Sequence, residues 1–320
     1  MTDSAAAAVL IAGPNLTIDR TLTGATLRPG EVLRFAARAS PGGKGVNVAR
    51  GAQALGAGAL LVALLPGHTG AAVGALIGEE GIALPGVPCG GEVRSTAVVL
   101  EPDGRSTVLN EQGPEVRPSE WAAYEAAVAG ALGPHRALLC SGSLPPGAPP
   151  DGYARLTALA RERGVTAIVD AAGPAVAAAL AAAPDLVTPN LAEAEAALGH
   201  GDGAEPVDVP PDARPRAEAA AAALCARGAR AAVVTAAAAG AALATAAGDT
   251  TWLPAPAVAV RNPIGAGDAL LAGLAAALER GEPLPRAARA GMAAAGACVE
   301  DERAGRLDAA RAAALLELLP

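Results

Sequence analysis

Short apolar runs alternate with longer Ala- and Leu-rich stretches along most of the chain. The short runs of β-branched and aliphatic residues predict strands, and the stretches between them predict helices. The predicted strands are 8–12, 96–101, 137–140, 165–169, 185–188 and 231–235, and the predicted helices are 118–132, 151–163, 191–198 and 215–227. This alternation predicts an α/β fold with a mostly parallel sheet and helices on both faces. Ligands of such sheets bind beyond the carboxyl ends of the strands.

Two parts of the chain break the alternation. Residues 93–101 and 105–110 are extended runs joined by Pro102-Asp103-Gly104, which is typical of a hairpin turn. Residues 14–40 are also short and turn-rich. We predict one domain over 1–320, with a small β lid formed from about 14–40 and 88–116. Residues 200–214, rich in Pro, Gly and Asp, predict a surface loop.

Composition excludes several classes of function. The chain has 320 residues, a formal net charge of −8 and five aromatic residues, so neither a basic surface nor stacking platforms for nucleic acid are expected. Its uncharged stretches are mostly Ala and Gly, which is too weakly apolar for a membrane span. The apolar N-terminal run lacks a basic segment before it, so we expect a first strand and a cytoplasmic protein. The four cysteines are far apart, and neither a zinc site nor a disulfide framework is expected.

Lysine and asparagine are rare. Of the 24 basic residues, Lys44 is the sole lysine, and the asparagines are Asn15, Asn47, Asn110, Asn190 and Asn262. Lysine is a compact point charge and arginine a wide planar fork, so a lysine retained in an arginine-rich chain points to a tight site. Chance retention is the alternative for any one of them. All six fall in predicted loops, which favours a chemical reason.

The segment Pro41-Gly42-Gly43-Lys44-Gly45-Val46-Asn47 precedes a helical pattern. Glycines let a ligand approach the backbone, and the first amides of a helix bind anions. Lys44 adds a full positive charge. A turn that only starts a helix is the alternative. The segment is not a P-loop, because Gly45 follows Lys44 and Arg38 stands at the first glycine position.

A second Gly-rich segment, Asn262-Pro263-Ile264-Gly265-Ala266-Gly267-Asp268, precedes another helical pattern, which Gly281 closes. Gly265, Ala266 and Gly267 can direct backbone N–H groups at a developing negative charge, and Asp268 can accept a proton. The alternative is an ordinary N-cap aspartate.

Three further segments follow predicted strands: 141–147 (SGSLPPG), Asp170, and Pro189-Asn190 with Glu193. Asn190 and Glu193 could hold a hydrated Mg²⁺, although the same spacing suits a helix cap. His68, His135 and His200 lie in Gly/Pro-flanked loops and are expected to be solvated, so a hydrolase triad is not expected. No Gly-x-Gly-x-x-Gly follows the first strand, which disfavours an NAD oxidoreductase.

Residues 42–47 together with 265–268 resemble the two signatures of the PfkB (ribokinase-like) carbohydrate kinase family, and 141–147 is similar to its 1-phosphofructokinase and tagatose-6-phosphate kinase branch. The resemblance runs from Asn15 to about residue 300. It implies a Rossmann-like three-layer α/β/α domain with a β-sheet lid. It also implies an ATP- and Mg²⁺-dependent kinase of a hexose phosphate, chiefly fructose 1-phosphate giving fructose 1,6-bisphosphate.

The resemblance assigns roles to individual residues. Asp268 would be the catalytic base, with Gly265, Ala266 and Gly267 as the anion hole for the transferred phosphoryl group. The residues assigned to the sugar phosphate are Asp19, Gly42, Gly43 and Asn47 for its hydroxyls, and Lys44 and Arg94 for the phosphate it already carries. Those assigned to Mg²⁺ and the nucleotide are Asn190, Glu193, Thr235 and Gly240, together with Gly265 and Gly267.

Two positions depart from the family pattern, and alternatives remain open. Ala237 stands where the family usually has Gly, and Pro263 where it usually has Thr; both lie on the nucleotide side. Tagatose 6-phosphate or fructose 6-phosphate could be the substrate. A ribokinase-type kinase of an unphosphorylated sugar or nucleoside is disfavoured by Lys44 and Arg94. A catalytically inactive, sugar-binding regulator is the alternative of another class. By analogy, the lid could also form a homodimer interface.

Overall fold

The computed structural model describes residues 8–133, 135–204, 209–303 and 305–319, and these form thirteen strands and ten α-helices. The strands are β1 (Ala8–Ala12), β2 (Thr17–Thr23), β3 (Ala36–Gly42), β4 (Gly58–Pro66), β5 (Gly86–Cys89), β6 (Arg94–Leu100), β7 (Ser106–Asn110), β8 (Ala137–Ser141), β9 (Thr166–Asp170), β10 (Leu186–Val187), β11 (Ala231–Thr235), β12 (Gly240–Thr245) and β13 (Thr250–Pro254). The helices are α1 (Lys44–Ala54), α2 (Gly67–Glu79), α3 (Pro118–Ala131), α4 (Gly152–Glu162), α5 (Pro174–Leu180), α6 (Leu191–Ala197), α7 (Ala213–Ala226), α8 (Ala266–Glu279), α9 (Leu284–Val299) and α10 (Ala309–Leu318).

Nine of the described strands form one sheet in the order β13-β12-β11-β10-β9-β8-β1-β4-β5. The pairs from β11 to β5 are parallel, whereas β12 and β13 add an antiparallel edge. β1 lies in the interior, where Leu10 is opposite both Leu60 and Leu138. The predicted α/β class with a mostly parallel sheet is confirmed.

Helices cover both faces of this sheet. Successive side chains of a strand point to opposite faces, and Leu10 therefore packs with Trp121 and Tyr124 of α3. Its neighbours Val9 and Ile11 pack on the other face with residues of α1 and α8. Burial of these large side chains stabilises each layer, at about 1.5–3 kcal/mol for a fully buried Leu or Ile. The three-layer arrangement predicted from the sequence is confirmed.

A second sheet of four strands has the order β3-β2-β6-β7. The predicted hairpin is present as β6 and β7, which pair antiparallel. Thr17 of β2 is opposite both Gly42 of β3 and Arg94 of β6, so the sheet brings these two distant residues to one end. β3 extends past the predicted limit of 40, and β5, which overlaps the predicted lid range, pairs with β4 in the main sheet.

Other predictions concern the chain ends and loops. The N-terminal apolar run forms β1 as predicted, with residues 1–7 outside the described part. Of the predicted loop 200–214, residues 205–208 are outside it as well, and α7 begins at Ala213. Within the described ranges, no helix is long and apolar enough to cross a bilayer.

Candidate functional site

The two Gly-rich segments begin helices α1 and α8, which pack closely on each other. A Cβ on Gly51 of α1 would lie 2.7 Å from Cβ of Ala272 in α8, so glycine permits this approach. One turn earlier in each helix, Asn47 Nδ2 donates a hydrogen bond of 2.8 Å to Asp268 Oδ2. The packing of α1 on α8 therefore joins the two predicted motifs at their polar ends.

Asp268 is the third residue of α8 and not its N-cap, which is Gly265. The simpler alternative of an N-cap aspartate is therefore wrong. Asp268 is buried, and burial raises the pKa of its carboxyl group to about 7. The Lys44 ammonium lowers this pKa, and the Asp170 and Glu193 carboxylates raise it further. A carboxyl group with a pKa near neutrality is suited to general-base catalysis.

The start of α8 leaves room for an anion. Gly265 has φ 89°, a left-handed conformation that glycine adopts at little cost. A Cβ on Gly267 would meet no atom within 4 Å. The first amides of a helix have no intrahelical acceptor. The Ala266 amide donates to Pro263 O at 3.3 Å, and the Gly267 amide can donate to a ligand in this space. The geometry suits the predicted anion hole.

Lys44 lies among carboxylates. Its Nζ is 3.3 Å from Asp170 Oδ2 and 3.8 Å from Glu193 Oε1. The Asp170 carboxylate is the main cause that raises the pKa of Lys44, and Glu193 and Asp268 contribute. Asp170 ends β9, is buried, and accepts a hydrogen bond of 3.2 Å from Thr188 Oγ1. The carboxyl ends of the strands thus converge beside Asp268, as the fold class predicts.

Asn190 and Glu193 form a capping box at the start of α6. Asn190 Oδ1 accepts from the Glu193 amide at 2.8 Å, and Glu193 Oε2 accepts from the Asn190 amide at 3.0 Å. Thr235 lies beside Asn190, and its amide donates to Pro189 O at 3.1 Å. In the part of the chain that the structure describes, no group of three or more His, Cys, Asp or Glu side chains could hold a metal ion. The Glu193 carboxylate still suits a hydrated Mg²⁺, because Mg²⁺ keeps several waters and needs few protein carboxylates.

Asp19 lies on Gly42. A Cβ at position 42 would overlap the Asp19 carboxylate, so glycine leaves room for that carboxylate in this position. Burial raises the pKa of Asp19, and the charge of Arg50 opposes this. Gly43 has φ 107° and is the N-cap of α1. The second sheet thereby places Asp19 at the start of the helix that carries Lys44 and Asn47.

Arg94 lies on the wall of a cavity of about 570 Å³. Asn15, Gly113 and residues 143–148 also line it, and Asn15 Nδ2 donates to Ser143 Oγ at 2.9 Å. Arg94 Nε is buried and has no hydrogen-bond partner within the described structure. Burial lowers the pKa of Arg94. Lys44 is not among the residues that line this cavity, and its joint role with Arg94 on one phosphate stays a prediction.

Gly240 has a clear packing role. Its φ is 131°, and a Cβ there would overlap Leu253 O and crowd Trp252. Ala237, where the family pattern has Gly, is in the left-handed region with φ 47°. Glycine would adopt that conformation with less strain. The nucleotide role of Thr235 and Gly240 stays a prediction.

Two results were not foreseen from the sequence. Arg50, on α1, donates to Asn47 Oδ1 at 3.2 Å and so contacts the site, and its spacing of three residues from Asn47 is the signal that could have shown it. The prediction of a solvated His135 is wrong, because this residue is partly buried and its Nδ1 is 2.7 Å from Ala8 O. His68 and His200 are exposed as predicted.

Comparison with known proteins shows the family of this chain. Residues 16–309 match the model of the pfkB family carbohydrate kinases. The chain belongs to this family. As a pfkB carbohydrate kinase, it is a phosphotransferase that acts on a sugar hydroxyl.

Several pfkB kinases resemble it over most of their length. A 1-phosphofructokinase of Rhodobacter capsulatus is 35% identical over 280 residues, which are 86% of this chain and 85% of that protein. An ATP-dependent 6-phosphofructokinase isozyme 2 of Mycobacterium tuberculosis is 29% identical, over 88% of this chain and 81% of the relative. The tetrameric inhibited form of phosphofructokinase-2 from Escherichia coli superposes with a TM-score of 0.86 at 25% identity, over 97% of this chain and 98% of that one.

Proposed function

We propose that this kinase transfers the terminal phosphoryl group of ATP to a free hydroxyl of a hexose phosphate, chiefly fructose 1-phosphate, giving fructose 1,6-bisphosphate. The observation that carries the proposal is the buried, unpaired Nε of Arg94 on the wall of the substrate-side cavity. A hydroxyl of a neutral sugar would accept a hydrogen bond from this donor but bring no countercharge, whereas a phosphate would accept a stronger, charge-assisted hydrogen bond and balance the charge of the guanidinium. The name of the R. capsulatus relative supports the same substrate.

Asp268 accepts the proton of the attacking hydroxyl as the new O–P bond forms and the bond to the leaving ADP breaks. Asn47 holds the carboxylate in place through its 2.8 Å hydrogen bond. The amide of Gly267 stabilises the negative charge that develops on the transferred group, and the amide of Ala266 joins it by exchanging Pro263 O for a phosphoryl oxygen. We assign Lys44 to this group as well, since its ammonium interacts electrostatically with Asp268. Positioning and electrostatics provide most of the acceleration in such reactions.

Glu193, through water and with Asn190 beside it, would hold Mg²⁺ next to the ATP phosphates. The ion supplies charge neutralisation on the phosphates when bound. Thr235 and Gly240 would border the nucleotide. Asp19, Gly42 and Gly43 would contact the sugar, with Asp19 accepting hydrogen bonds from hydroxyl groups.

A coupled ADP-release assay tests the function with fructose 1-phosphate, fructose 6-phosphate, tagatose 6-phosphate, fructose and ribose. We expect the highest kcat/KM for fructose 1-phosphate. A higher kcat/KM for fructose 6-phosphate or tagatose 6-phosphate would make that sugar phosphate the substrate in place of fructose 1-phosphate. A kcat/KM for free fructose or ribose equal to that for fructose 1-phosphate would favour a ribokinase-type enzyme. The absence of ATP turnover with every one of these sugars would favour a catalytically inactive, sugar-binding regulator.

We also propose that the second sheet acts as a lid and as a homodimer interface. Thr21 is opposite Val98, and Val98 is opposite Val108, so these side chains share the face of the sheet that carries Asp19. Val108 is 47% exposed, although it is apolar. Sedimentation velocity should show a dimer for the wild type and a monomer for Val108→Glu. Cytoplasmic localisation stays a prediction, which cell fractionation would test.

A further inference from the structure

Arg50 connects three segments around the site. Its Nη1 donates to Asn47 Oδ1 at 3.2 Å, and its Nη2 donates to Pro41 O at 2.7 Å. Its Nε and Nη2 form a bidentate pair with the Glu80 carboxylate at 2.5 and 2.7 Å. The Arg50 side chain is only 18% exposed. Glu80 follows the end of α2, so this pair anchors the guanidinium to an element outside the site.

The guanidinium determines how the Asn47 amide is oriented. Arginine offers only donors, and an ionised carboxylate only acceptors. The Asn47 oxygen must therefore face Arg50, and its NH₂ group must face Asp268. The reversed amide would set Oδ1 against the Asp268 carboxylate and the NH₂ group against the guanidinium, and both contacts would be repulsive. Arg50 thus selects the orientation in which Asn47 can hold Asp268.

We propose that Arg50 is a positioning residue that acts on Asp268 through Asn47, with Glu80 fixing the guanidinium. The proposal rests on the proposed function, because it takes Asp268 as the base. It differs from two simpler roles. In one, only the positive charge of Arg50 matters. In the other, Arg50 holds the backbone at Pro41, next to the proposed sugar-binding residues Gly42 and Gly43.

Single variants separate these roles. Arg50→Met should lower kcat by about 10- to 100-fold, with KM for the sugar phosphate and for ATP within about threefold of wild type, since misplacement of a reacting group mainly reduces turnover. Arg50→Lys keeps the charge, but one ammonium cannot span Glu80, Pro41 and Asn47, so we expect a similar loss. Wild-type kcat in Arg50→Lys would overturn the proposal. A raised KM for the sugar phosphate with unchanged kcat would also overturn it, in favour of the Pro41 role.

A double-mutant cycle tests the route through Asn47. If Arg50 acts through that residue, the variant with both Asn47→Ala and Arg50→Met should have the kcat of Asn47→Ala alone, within about twofold. Additive losses would overturn the proposal. Arg286→Met is the control, because it removes another arginine–glutamate pair, which Arg286 of α9 forms with Glu282 in the turn after α8. Its kcat should be that of the wild type.

Two further measurements keep the result interpretable. Circular dichroism checks that each variant is folded. If Arg50→Met is not folded, Glu80→Gln is used in its place. Glu80→Gln should lower kcat when introduced into the wild type but not when introduced into Asn47→Ala. Asp268→Asn is assayed alongside. Turnover retained in Asp268→Asn would overturn both the proposed base and this proposal. An inactive Asp268→Asn with an additive cycle would overturn the role of Arg50 alone.

Discussion

Asn47 Nδ2 lies 2.8 Å from Asp268 Oδ2, and this hydrogen bond joins the starts of two helices whose contacting residues are 221 positions apart in the sequence. Under the proposed function, one Gly-rich segment supplies the base, and the other supplies the residue that orients it. Each segment contributes one of the two residues that form this hydrogen bond. The close contact of Gly51 with Ala272 sets the distance between them.

Asp268 should set the acid limb of the pH–rate profile. Its pKa of about 7 means that the carboxylate form, which alone accepts a proton, is lost as pH falls through neutrality. kcat/KM for the sugar phosphate should therefore rise with pH around a midpoint near 7. Asp268→Asn keeps the size of the side chain but should lower kcat by about 10²- to 10⁴-fold and remove the acid limb. Near-full turnover in this variant would show that Asp268 is not the base.

The same substitution should stabilise the protein at alkaline pH. The pKa of Asp268 is raised from 3.8 in its unperturbed state to about 7, so the folded protein binds more protons than the unfolded chain between these values. The contribution of Asp268 to the free energy of unfolding is therefore fully present below about pH 4, and it is lost as pH rises towards 7. At pH 8, Asp268→Asn should increase the free energy of unfolding by an amount on the order of 2–4 kcal/mol, as measured in urea. A lower stability than wild type at pH 8 would contradict this.

Gly267→Ala should separate catalysis from folding. An added Cβ would meet no protein atom within 4 Å, so the variant should fold with unchanged stability. The methyl group would occupy the space assigned to the transferred phosphoryl group, and kcat/KM should fall by about 10²-fold, as when an oxyanion donor is lost. Gly78→Ala in α2, which also has no neighbour within 4 Å, is the matched control. Equal activity of the two variants would place the anion elsewhere.

Lys44→Met tests whether the lysine contacts the transferred phosphoryl group or the phosphate already on the sugar. Beside Asp268, its charge lowers the pKa of the base, so its removal should lower kcat and move the acid limb to higher pH. Lys44→Arg should be impaired too, because the wider guanidinium does not replace an ammonium between glycines. A raised KM for the sugar phosphate with unchanged kcat and pH profile would instead return Lys44 to the role that the sequence predicted, as a ligand of the phosphate already on the sugar.

The sequence predicted the fold class because β-branched runs such as 165–169 mark buried strands even in an alanine-rich chain. It did not predict β4, because its residues, 58–66, were seen only as part of an uncharged, Ala- and Gly-rich stretch. Both Gly-rich segments could be predicted because clustered glycines, and in the first segment the sole lysine, are recognisable from a few neighbouring residues.

Partners of the site residues were harder to predict. The pairing of Lys44 with Asp170 depends on strand order, which no local pattern encodes. Asn190 and Glu193 cap a helix, and their spacing alone does not distinguish this from a magnesium site. Arg50 was missed because its effect depends on the orientation of one amide group.

The central claim is that Arg94 recognises a phosphate already present on the sugar that Asp268 activates. Its most direct test is the ratio of kcat/KM for fructose 1-phosphate to kcat/KM for fructose, measured in the wild type and in Arg94→Met. A charge-assisted hydrogen bond contributes about 1.5–3 kcal/mol, so the ratio should fall roughly 10- to 150-fold in the variant, with the kcat/KM for fructose almost unchanged. A ratio near one in the wild type, or the same ratio in both proteins, would contradict the claim.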